Sequence, residues 1–217
     1  MMLKYNIKLA LKSMRRNPVI TALMVAAIAV GIGVSMTTLS VYHMMSSNPI
    51  PAKSDVLFAI TMDNWDPLRP FDDDEPDRAP HQVTFHDAER LLKLGEARRQ
   101  AAMFESSLII EPVDVEDLPF EAGARVTNSD FFSMFNVPFL HGSAWDQSAD
   151  DAAEPVVVLT RQLNERLFGG ENSVGKWLTM ADTRFRVVGV IDNWEPTPRF
   201  YDPINGAFQE INEMFIP

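Results

Sequence analysis

The 217-residue chain contains no cysteine. That absence excludes disulfide bonds, thiol nucleophiles and thiolate metal sites, but it does not identify the compartment. The first 20 residues also lack acidic side chains, although they hold five of the 19 basic residues of the chain: Lys4, Lys8, Lys12, Arg15 and Arg16. The remaining residues carry 14 basic and 30 acidic side chains, a net charge of −16. Because this part of the chain is strongly negative, it repels nucleic acid, which is therefore not expected as a partner.

Charged side chains are also missing from Val19 to Met45. A helix of this length, at about 1.5 Å per residue, extends roughly 40 Å and can cross the hydrocarbon core of a membrane. Two alternatives are a buried helix of a soluble domain and a cleaved signal peptide. The apolar part of a signal peptide is shorter, at about 7–15 residues, and ends in a small-x-small cleavage site that fits poorly here. The sequence therefore predicts an uncleaved transmembrane helix over residues 18–46.

Residues 1–17 predict an amphipathic helix, which Pro18 ends or redirects because proline disfavours helix at the residue before it. Apolar residues recur there at three- and four-residue spacing, and the lysines form a separate stripe. The apolar positions are Leu3, Ile7, Ala10, Leu11 and Met14. Such a helix lies in the headgroup layer with membrane lipid as its partner. The five positive charges before the span predict a cytoplasmic N-terminus and place residues 47–217 outside, in the periplasm of a bacterium.

Small residues recur at four-residue spacing within the predicted span. The two sets are Ala27, Gly31 and Ser35, and Ala29, Gly33 and Thr37. Small side chains at this spacing allow another helix to approach closely, although alanine and glycine are also simply common in membrane helices. We select Ala27, Gly31, Gly33 and Ser35 as candidate helix-packing residues.

The exported part mixes strand and helix patterns without a regular repeat. Strands are predicted at 55–62, near 106–111 and 118–126, and at 156–160, 176–180 and 184–191. Helices are predicted from Thr84 to a stop at Gly95, after Asn128, and at 161–168. Residues 63–80 and 146–154 are acidic loops, and 194–203 is a proline-rich loop. This order predicts an α+β domain of one or two subdomains.

No motif for catalysis stands out. Residues 170–176 have the spacing of a phosphate-binding P-loop, but Trp177 stands where that motif needs serine or threonine, and the run leads from a helix into a strand instead of the reverse. The acidic run 72–75 lacks the alternating ligands of a calcium loop. The four histidines have no zinc-ligand spacing. We therefore expect no catalytic, cofactor or metal site, and the visible part resembles a binding or mechanical element.

Two stretches resemble the MacB-like permeases of ABC transporters, within the wider FtsX-like group. The first is ALKSMRRNPVITALMVAAIAVGIGVSM, residues 10–36. The second begins at 125 and matches a recurring phrase of the periplasmic core domain at Val126, Phe131, Phe132, Phe135, Val137, Pro138 and Gly142. It continues through 156–159, Leu167, Phe168, the turn at 172–176 and 187–190. Each motif is weak alone, but together and in order they are fairly specific.

The resemblance implies a permease subunit that relays ATP-driven motion to a periplasmic domain for export or extraction of a substrate. It also implies a cytoplasmic ABC ATPase, which would hydrolyse the ATP, together with a second permease subunit in a dimer and a periplasmic adaptor. Such permeases usually have four spans, so the resemblance further implies that this chain is a fragment. The rival interpretations are a single-span sensor or adaptor with a ligand-binding outer domain and, less favoured, an anchored periplasmic enzyme.

Overall fold

The N-terminal residues form two helices separated at Asn17, α1 (Met2–Arg16) and α2 (Pro18–Ser46). The structure is a computed structural model, and it describes residues 2–46, 48–80, 82–112, 118–196, 198–202 and 212–217. It divides into two units, residues 1–48 and 49–217. Pro18 occupies the first helical position, where its missing N–H leaves no bond unmade. By length and composition, α2 is able to cross a membrane.

Two threonine side chains of α2 bond to the backbone of the helix itself. Thr37 donates to the carbonyl oxygen of Gly33 at 2.9 Å, and Thr38 donates to that of Val34 at 3.0 Å. In hydrocarbon these bonds satisfy hydroxyl protons that water would otherwise solvate. Most residues of the predicted amphipathic face of α1 have side chains that the structure does not describe. They are Leu3, Lys4, Ile7, Lys8, Ala10 and Leu11.

The second unit is built on one mixed sheet of seven strands. They are β1 (Met103–Glu111), β2 (Phe120–Thr127), β3 (Phe139–Gly142), β4 (Val156–Leu159), β5 (Trp177–Met180), β6 (Thr183–Ile191) and β7 (Met214–Ile216). The strand order is β3-β6-β4-β7-β2-β1-β5, and β5 also pairs with β6. Six strands therefore close into a small barrel, and β3 branches from it. The strand β6 makes this possible because it pairs with β4 along one edge and with both β5 and β3 along the other.

The barrel is filled by one of two apolar clusters. Inward side chains include Ile110 of β1, Val157 and Leu159 of β4, Met180 of β5 and Met214 of β7. The alternation of side chains along a strand sends the remaining residues of β4 and β7 to the outer face. That face is covered by a second cluster, so all four residues of β4 are buried. The continuous apolar run of this strand follows from burial on both faces.

In the described residues of the second unit, four helices and one short 3₁₀ turn complete the fold. The helices are α3 (Phe85–Leu94), α4 (Asp130–Met134), α5 (Gln147–Ala152) and α6 (Arg161–Phe168), and the turn spans Ser54–Val56. Thr84 caps α3 and Thr160 caps α6, each accepting a bond from the backbone N–H three residues later. Both helices end at a glycine in the left-handed conformation, Gly95 and Gly169. Thr84 and Gly95 are the local signals from which the boundaries of α3 were predicted, whereas Thr160 was assigned to the preceding strand.

The predicted α+β class is confirmed, whereas one predicted strand is wrong. The strand predicted at 55–62 does not form: residues 55 and 56 belong to a 3₁₀ turn, and residues 57–62 pair with no strand in the described chain. The sequence analysis did not predict α5, which lies in the acidic stretch 146–154, nor the short strands β3 and β7. Strand β7 pairs in parallel with β2 and antiparallel with β4. His81, residues 113–117 and most of the final stretch, 203–211, lie outside the described residues.

Candidate functional site at the start of the outer domain

The residues directly after α2 are fixed to the second unit by burial and by a turn. We call Pro49–Val56 the exit segment. Ile50 is only 7% exposed. Its carbonyl oxygen accepts bonds from the backbone N–H groups of Lys53 and Ser54 at 3.0 and 3.1 Å. The beginning of the segment lines an open groove of about 400 Å³ together with Phe135, Trp194 and Phe200. The exit segment is therefore a packed part of the domain.

Lys53 ties the exit segment to α4. Its ammonium group donates to the backbone carbonyl oxygens of Ser133 and Met134. These carbonyls belong to the last turn of the helix, where carbonyl groups lack an intrahelical partner and carry partial negative charge. The ammonium group of Lys53 therefore satisfies two carbonyl groups at the end of α4 and links two segments 80 residues apart in sequence.

Helix α4 rests on the second apolar cluster, which we call the aromatic cluster. Phe131 is fully buried at its centre. Its ring lies edge-on to Phe135 at 4.9 Å and to Tyr201 at 5.6 Å, measured between ring centroids. Tyr201 in turn stacks on Trp194 at 5.1 Å. The aromatic members of the cluster are Phe131, Phe132, Phe135, Phe139, Trp145, Trp194, Phe200, Tyr201 and Phe215. Edge-on and stacked aromatic pairs of this kind stabilise beyond simple area burial.

A group of four charged side chains, three of them buried, adjoins the aromatic cluster on the outer face of β1 and β2. We call Glu105, Arg125, Arg199 and Asp202 the charge cluster. Arg125 Nη2 donates to Asp202 Oδ2 at 2.6 Å and to Glu105 Oε1 at 2.7 Å. Arg199 Nη1 donates to the same oxygen of Glu105 at 2.7 Å. The cluster is electrically neutral, which is what burial of charge requires.

The charge cluster holds the segment around Tyr201 against the barrel. Arg125 Nε donates to Asn212 Oδ1 at 2.9 Å, so the segment before β7 is held as well. Both guanidinium groups lie over the ring of Tyr201, at 5.5 Å for Arg125 and 5.9 Å for Arg199. Burial raises the pKa of the Tyr201 phenol, and the two arginines oppose that shift. Tyr201 therefore stays neutral at physiological pH and acts as a packing ring.

These contacts form one continuous path through the second unit. It runs from the exit segment through Lys53 to α4, through Phe131 to Tyr201, and through the charge cluster to β1 and β2. Every link is a buried or half-buried contact, and closely packed interiors of this kind transmit displacement. The sequence analysis predicted none of these links, because each joins residues far apart in sequence.

The candidate packing residues in α2 lie on two faces of that helix. Ala27, Gly31 and Ser35 share one face by their spacing, and Gly33 lies on another. No heavy atom of the described structure lies within 4 Å of the position a Cβ would take at Gly31 or Gly33. Space is therefore open beside both glycines, and the helix-packing role remains a prediction.

The sequence motifs that suggested ligands have other structural roles. Lys176, in the P-loop-like run, pairs with Glu171, and the side chain of the buried Ser173 bonds to that of Asn164. In the acidic run, Arg78 pairs with Asp72 and Glu75. Hydrogen bonds from Thr84 and then Asn64 lower the pKa of Asp87 at the start of α3. The described residues contain no group of three or more histidine or acidic side chains placed to hold a metal ion.

Comparison with known proteins gives a match over most of the chain. The model of the MacB-like periplasmic core domain matches residues 21–217. The pyoverdine export ATP-binding/permease protein PvdT of Pseudomonas aeruginosa is 29% identical over 75 residues, which are 35% of this chain and 11% of that protein. The match thus spans about a tenth of the length of this curated relative.

Two solved structures are also similar. The extracellular domain of the noncanonic ABC-type transporter YknZ from Gram-positive bacteria is 16% identical, with 69% of each chain covered and a TM-score of 0.47. The periplasmic region of MacB from Actinobacillus actinomycetemcomitans is 21% identical, with 67% of this chain and 70% of that chain covered and a TM-score of 0.44.

Proposed function

Because this chain belongs to the family of the MacB-like periplasmic core domain, we propose that it is part of a permease subunit of an ABC transporter. In this proposal α2 crosses the bacterial inner membrane with α1 in the cytoplasm, and the second unit lies in the periplasm. A cytoplasmic ABC ATPase hydrolyses the ATP, and a second permease subunit completes a dimer. A periplasmic adaptor and membrane lipid are further partners. The match over residues 21–217 is the observation that carries the proposal.

The role we propose for the outer domain is to receive motion from the membrane helix. The exit segment follows α2 after only a few residues, and it is fixed to α4 by Lys53 and by the burial of Ile50. A displacement of the helix end therefore reaches the aromatic cluster through packed contacts. Substrate export or extraction then follows from movement of the domain, with no chemistry performed on the substrate.

The proposal is tested by assembly and by ATP turnover. The full-length gene product is purified in nanodiscs with the ABC ATPase encoded beside it, and ATP hydrolysis is compared with that of the ATPase alone. We expect a stable complex whose hydrolysis rate differs from that of the isolated ATPase. Failure of the two proteins to assemble, with both folded, would exclude the permease role.

Replacing Lys53 with methionine should weaken the transfer of motion while leaving the domain folded. The variant loses two charge-assisted hydrogen bonds at a half-buried position, a cost of about 1–2 kcal/mol. All four tryptophans, Trp65, Trp145, Trp177 and Trp194, lie in the outer domain. With the tryptophans of the partner ATPase and of any segment outside residues 1–217 replaced by phenylalanine, a change of tryptophan fluorescence on ATP binding to the complex reports on that domain, and we expect this change to be much smaller in Lys53→Met.

The matched control is Lys93→Met. Lys93 is an exposed lysine of α3 that pairs with Glu89 one turn before it. Its loss should leave the ATP-dependent fluorescence change intact. If Lys53→Met shows the full change, the exit segment does not carry the motion.

Replacing Gly31 with leucine should lower the yield of the assembled complex several-fold, because a bulky side chain prevents close approach of a second helix. The outer domain should remain folded, as judged by its tryptophan fluorescence. Ala26→Leu is the control, since Ala26 is a small residue of the same helix outside both four-residue sets. Normal complex yield with Gly31→Leu would count against the packing role of this face.

A further inference from the structure

The two N-terminal helices meet at a break that a threonine side chain bridges. Helix α1 ends at Arg16 and α2 begins at Pro18, so only Asn17 lies between them. The hydroxyl of Thr21 donates to the carbonyl oxygen of Asn17 at 3.0 Å and to that of Met14 at 3.2 Å. Residues seven apart in a straight α-helix are about 10.5 Å apart along its axis. The contact between Thr21 and Met14 therefore requires the chain to bend at Asn17.

Pro18 explains why a side chain bonds to the carbonyl of Met14. In a helix that continued past Asn17, that carbonyl oxygen would accept a bond from the backbone N–H of residue 18. Proline has no N–H, and the carbonyl groups in the last turn of a helix lack intrahelical partners. The hydroxyl of Thr21 supplies the donor that Pro18 removes. Threonine side chains serve in the same way where a proline interrupts a membrane helix.

The surroundings of Thr21 differ from those of the other threonines of α2. Thr37 and Thr38 also bond to the carbonyl oxygen four residues earlier, yet both are exposed. Among the residues of α2, all of which the structure describes, Thr21 alone is partly buried. We attribute this burial to the end of α1, which the bond to Met14 draws close to Thr21.

Breaking the bond between Thr21 and Met14 requires little other change. The hydroxyl keeps its bond to Asn17, and Met14 is 51% exposed, so water of the headgroup layer reaches this end of α1. A carbonyl group that exchanges a protein donor for water loses little free energy. The helix pair therefore has two accessible arrangements, one with the bond to Met14 and one without it.

We propose that residues 14–21 form a hinge between α1 and α2. The hinge is closed when the hydroxyl of Thr21 bonds to the carbonyl of Met14, and open when it bonds to Asn17 alone. Thr21 is thus a positioning residue, which sets the angle between the basic helix α1 and the apolar helix α2. Opening lets α1 change this angle while α2 stays intact. The inference concerns residues 1–48 alone and does not depend on the permease assignment.

The distance between spin labels on the two helices tests the hinge. Residues 1–217 contain no cysteine, so Tyr5→Cys and Val30→Cys supply the two labelling sites, both at exposed positions. Any cysteine elsewhere in the full-length gene product is replaced by serine. The labelled protein is measured in nanodiscs of phosphatidylethanolamine and phosphatidylglycerol. We expect a narrow distribution centred below the roughly 38 Å that a continuous helix of 25 residues would give.

Three variants test the hydroxyl of Thr21. Thr21→Val keeps the shape of the side chain but loses the hydroxyl, so the distance should lengthen and its distribution should broaden. Thr21→Ser keeps the hydroxyl and should give the same narrow distribution as the unchanged chain. The matched control is Thr37→Val, which removes the corresponding bond to the carbonyl four residues earlier and should leave the distance unchanged.

Pro18→Ala tests the cause of the bend. Alanine supplies the backbone N–H that the carbonyl of Met14 lacks at Pro18, so α1 and α2 should join into one helix with a distance near 38 Å. Adding Thr21→Val to this variant should change nothing further, because the hydroxyl is no longer needed.

Several outcomes would overturn the hinge. If Thr21→Val leaves the distribution unchanged, or Thr21→Ser alters it as much as Thr21→Val does, the hydroxyl does not set the angle. An equal shift in Thr37→Val would assign the effect to a general weakening of α2. A distance that stays short in Pro18→Ala, or that changes when Thr21→Val is added to it, would show that the hydroxyl does not replace the missing N–H.

Discussion

Replacing Arg125 with methionine should lower the free energy of unfolding of the outer domain by about 3–5 kcal/mol. Arg125 is 1% exposed, and its guanidinium group bonds to Asp202, Glu105 and Asn212. Methionine fills most of the volume of the arginine side chain. Within the charge cluster, however, the buried carboxylate of Asp202 then keeps only one charged partner, Arg199, at 3.5 Å. A buried charge that loses its main partner is costly, because neither water nor a new donor replaces the lost bonds.

Urea unfolding of the full chain in nanodiscs, followed by tryptophan fluorescence, measures this cost. The control is Arg161→Met, which breaks the ion pair with Asp192. Both side chains of that pair are about half exposed, so the loss should lower the free energy of unfolding by less than about 1 kcal/mol. The double variant Arg125→Met with Asp202→Leu should recover part of the loss, since it also removes the carboxylate that lost its main partner. Equal costs for Arg125→Met and Arg161→Met would show that the charge cluster is not buried as described.

Replacing Gly142 with alanine should cost about 3 kcal/mol or more, because it combines backbone strain with a collision. Gly142 ends β3 with a φ of +67°, a region that residues with a Cβ rarely adopt. A Cβ there would lie 2.2 Å from the carbonyl oxygen of Val188 and 2.9 Å from Cγ2 of Val174. The oxygen belongs to the backbone of β6, which pairs with β3 at this point, so it cannot move away without disturbing the sheet.

Gly169→Ala separates the cost of backbone strain from the cost of the collision with β6. Gly169 has nearly the same φ, +62°, but nothing lies within 4 Å of the position its Cβ would take. Alanine there should cost only the strain of the left-handed conformation, about 1 kcal/mol. The difference between the two variants, measured by the same urea unfolding, isolates the collision with β6. Equal costs would contradict the close approach of β3 and β6.

The elements predicted most accurately were those with strong local signals. Helix α6 begins after Thr160 and ends at Gly169 in both the prediction and the structure, because a capping side chain and a left-handed glycine act within a few residues. The apolar run 156–160 was predicted as a buried strand and forms β4. The wrong strand at 55–62 has the residue types of a strand, but strand formation needs a partner, and none pairs with it in the described chain.

The long-range contacts of the second unit were the least accessible to sequence analysis. Arg125 pairs with Asp202, 77 residues away, and Lys53 bonds to α4 at a separation of 80 residues. Nothing in the local pattern distinguishes Arg125 from an exposed arginine on a strand. Its burial results from the segment around Tyr201, which covers the outer face of β1 and β2.

The sequence by itself determined the features that depend on a single segment. The uncharged run from Val19 to Met45 is long enough to span a membrane whatever surrounds it, and the order of motifs from Val126 to Val190 pointed to the family that the comparison confirms. Only the tertiary structure decided how the strands close into a barrel, how the exit segment is held and which charges are buried. Those features depend on pairings between distant residues, and the free energy of such a pairing is a property of the folded chain that no local pattern records.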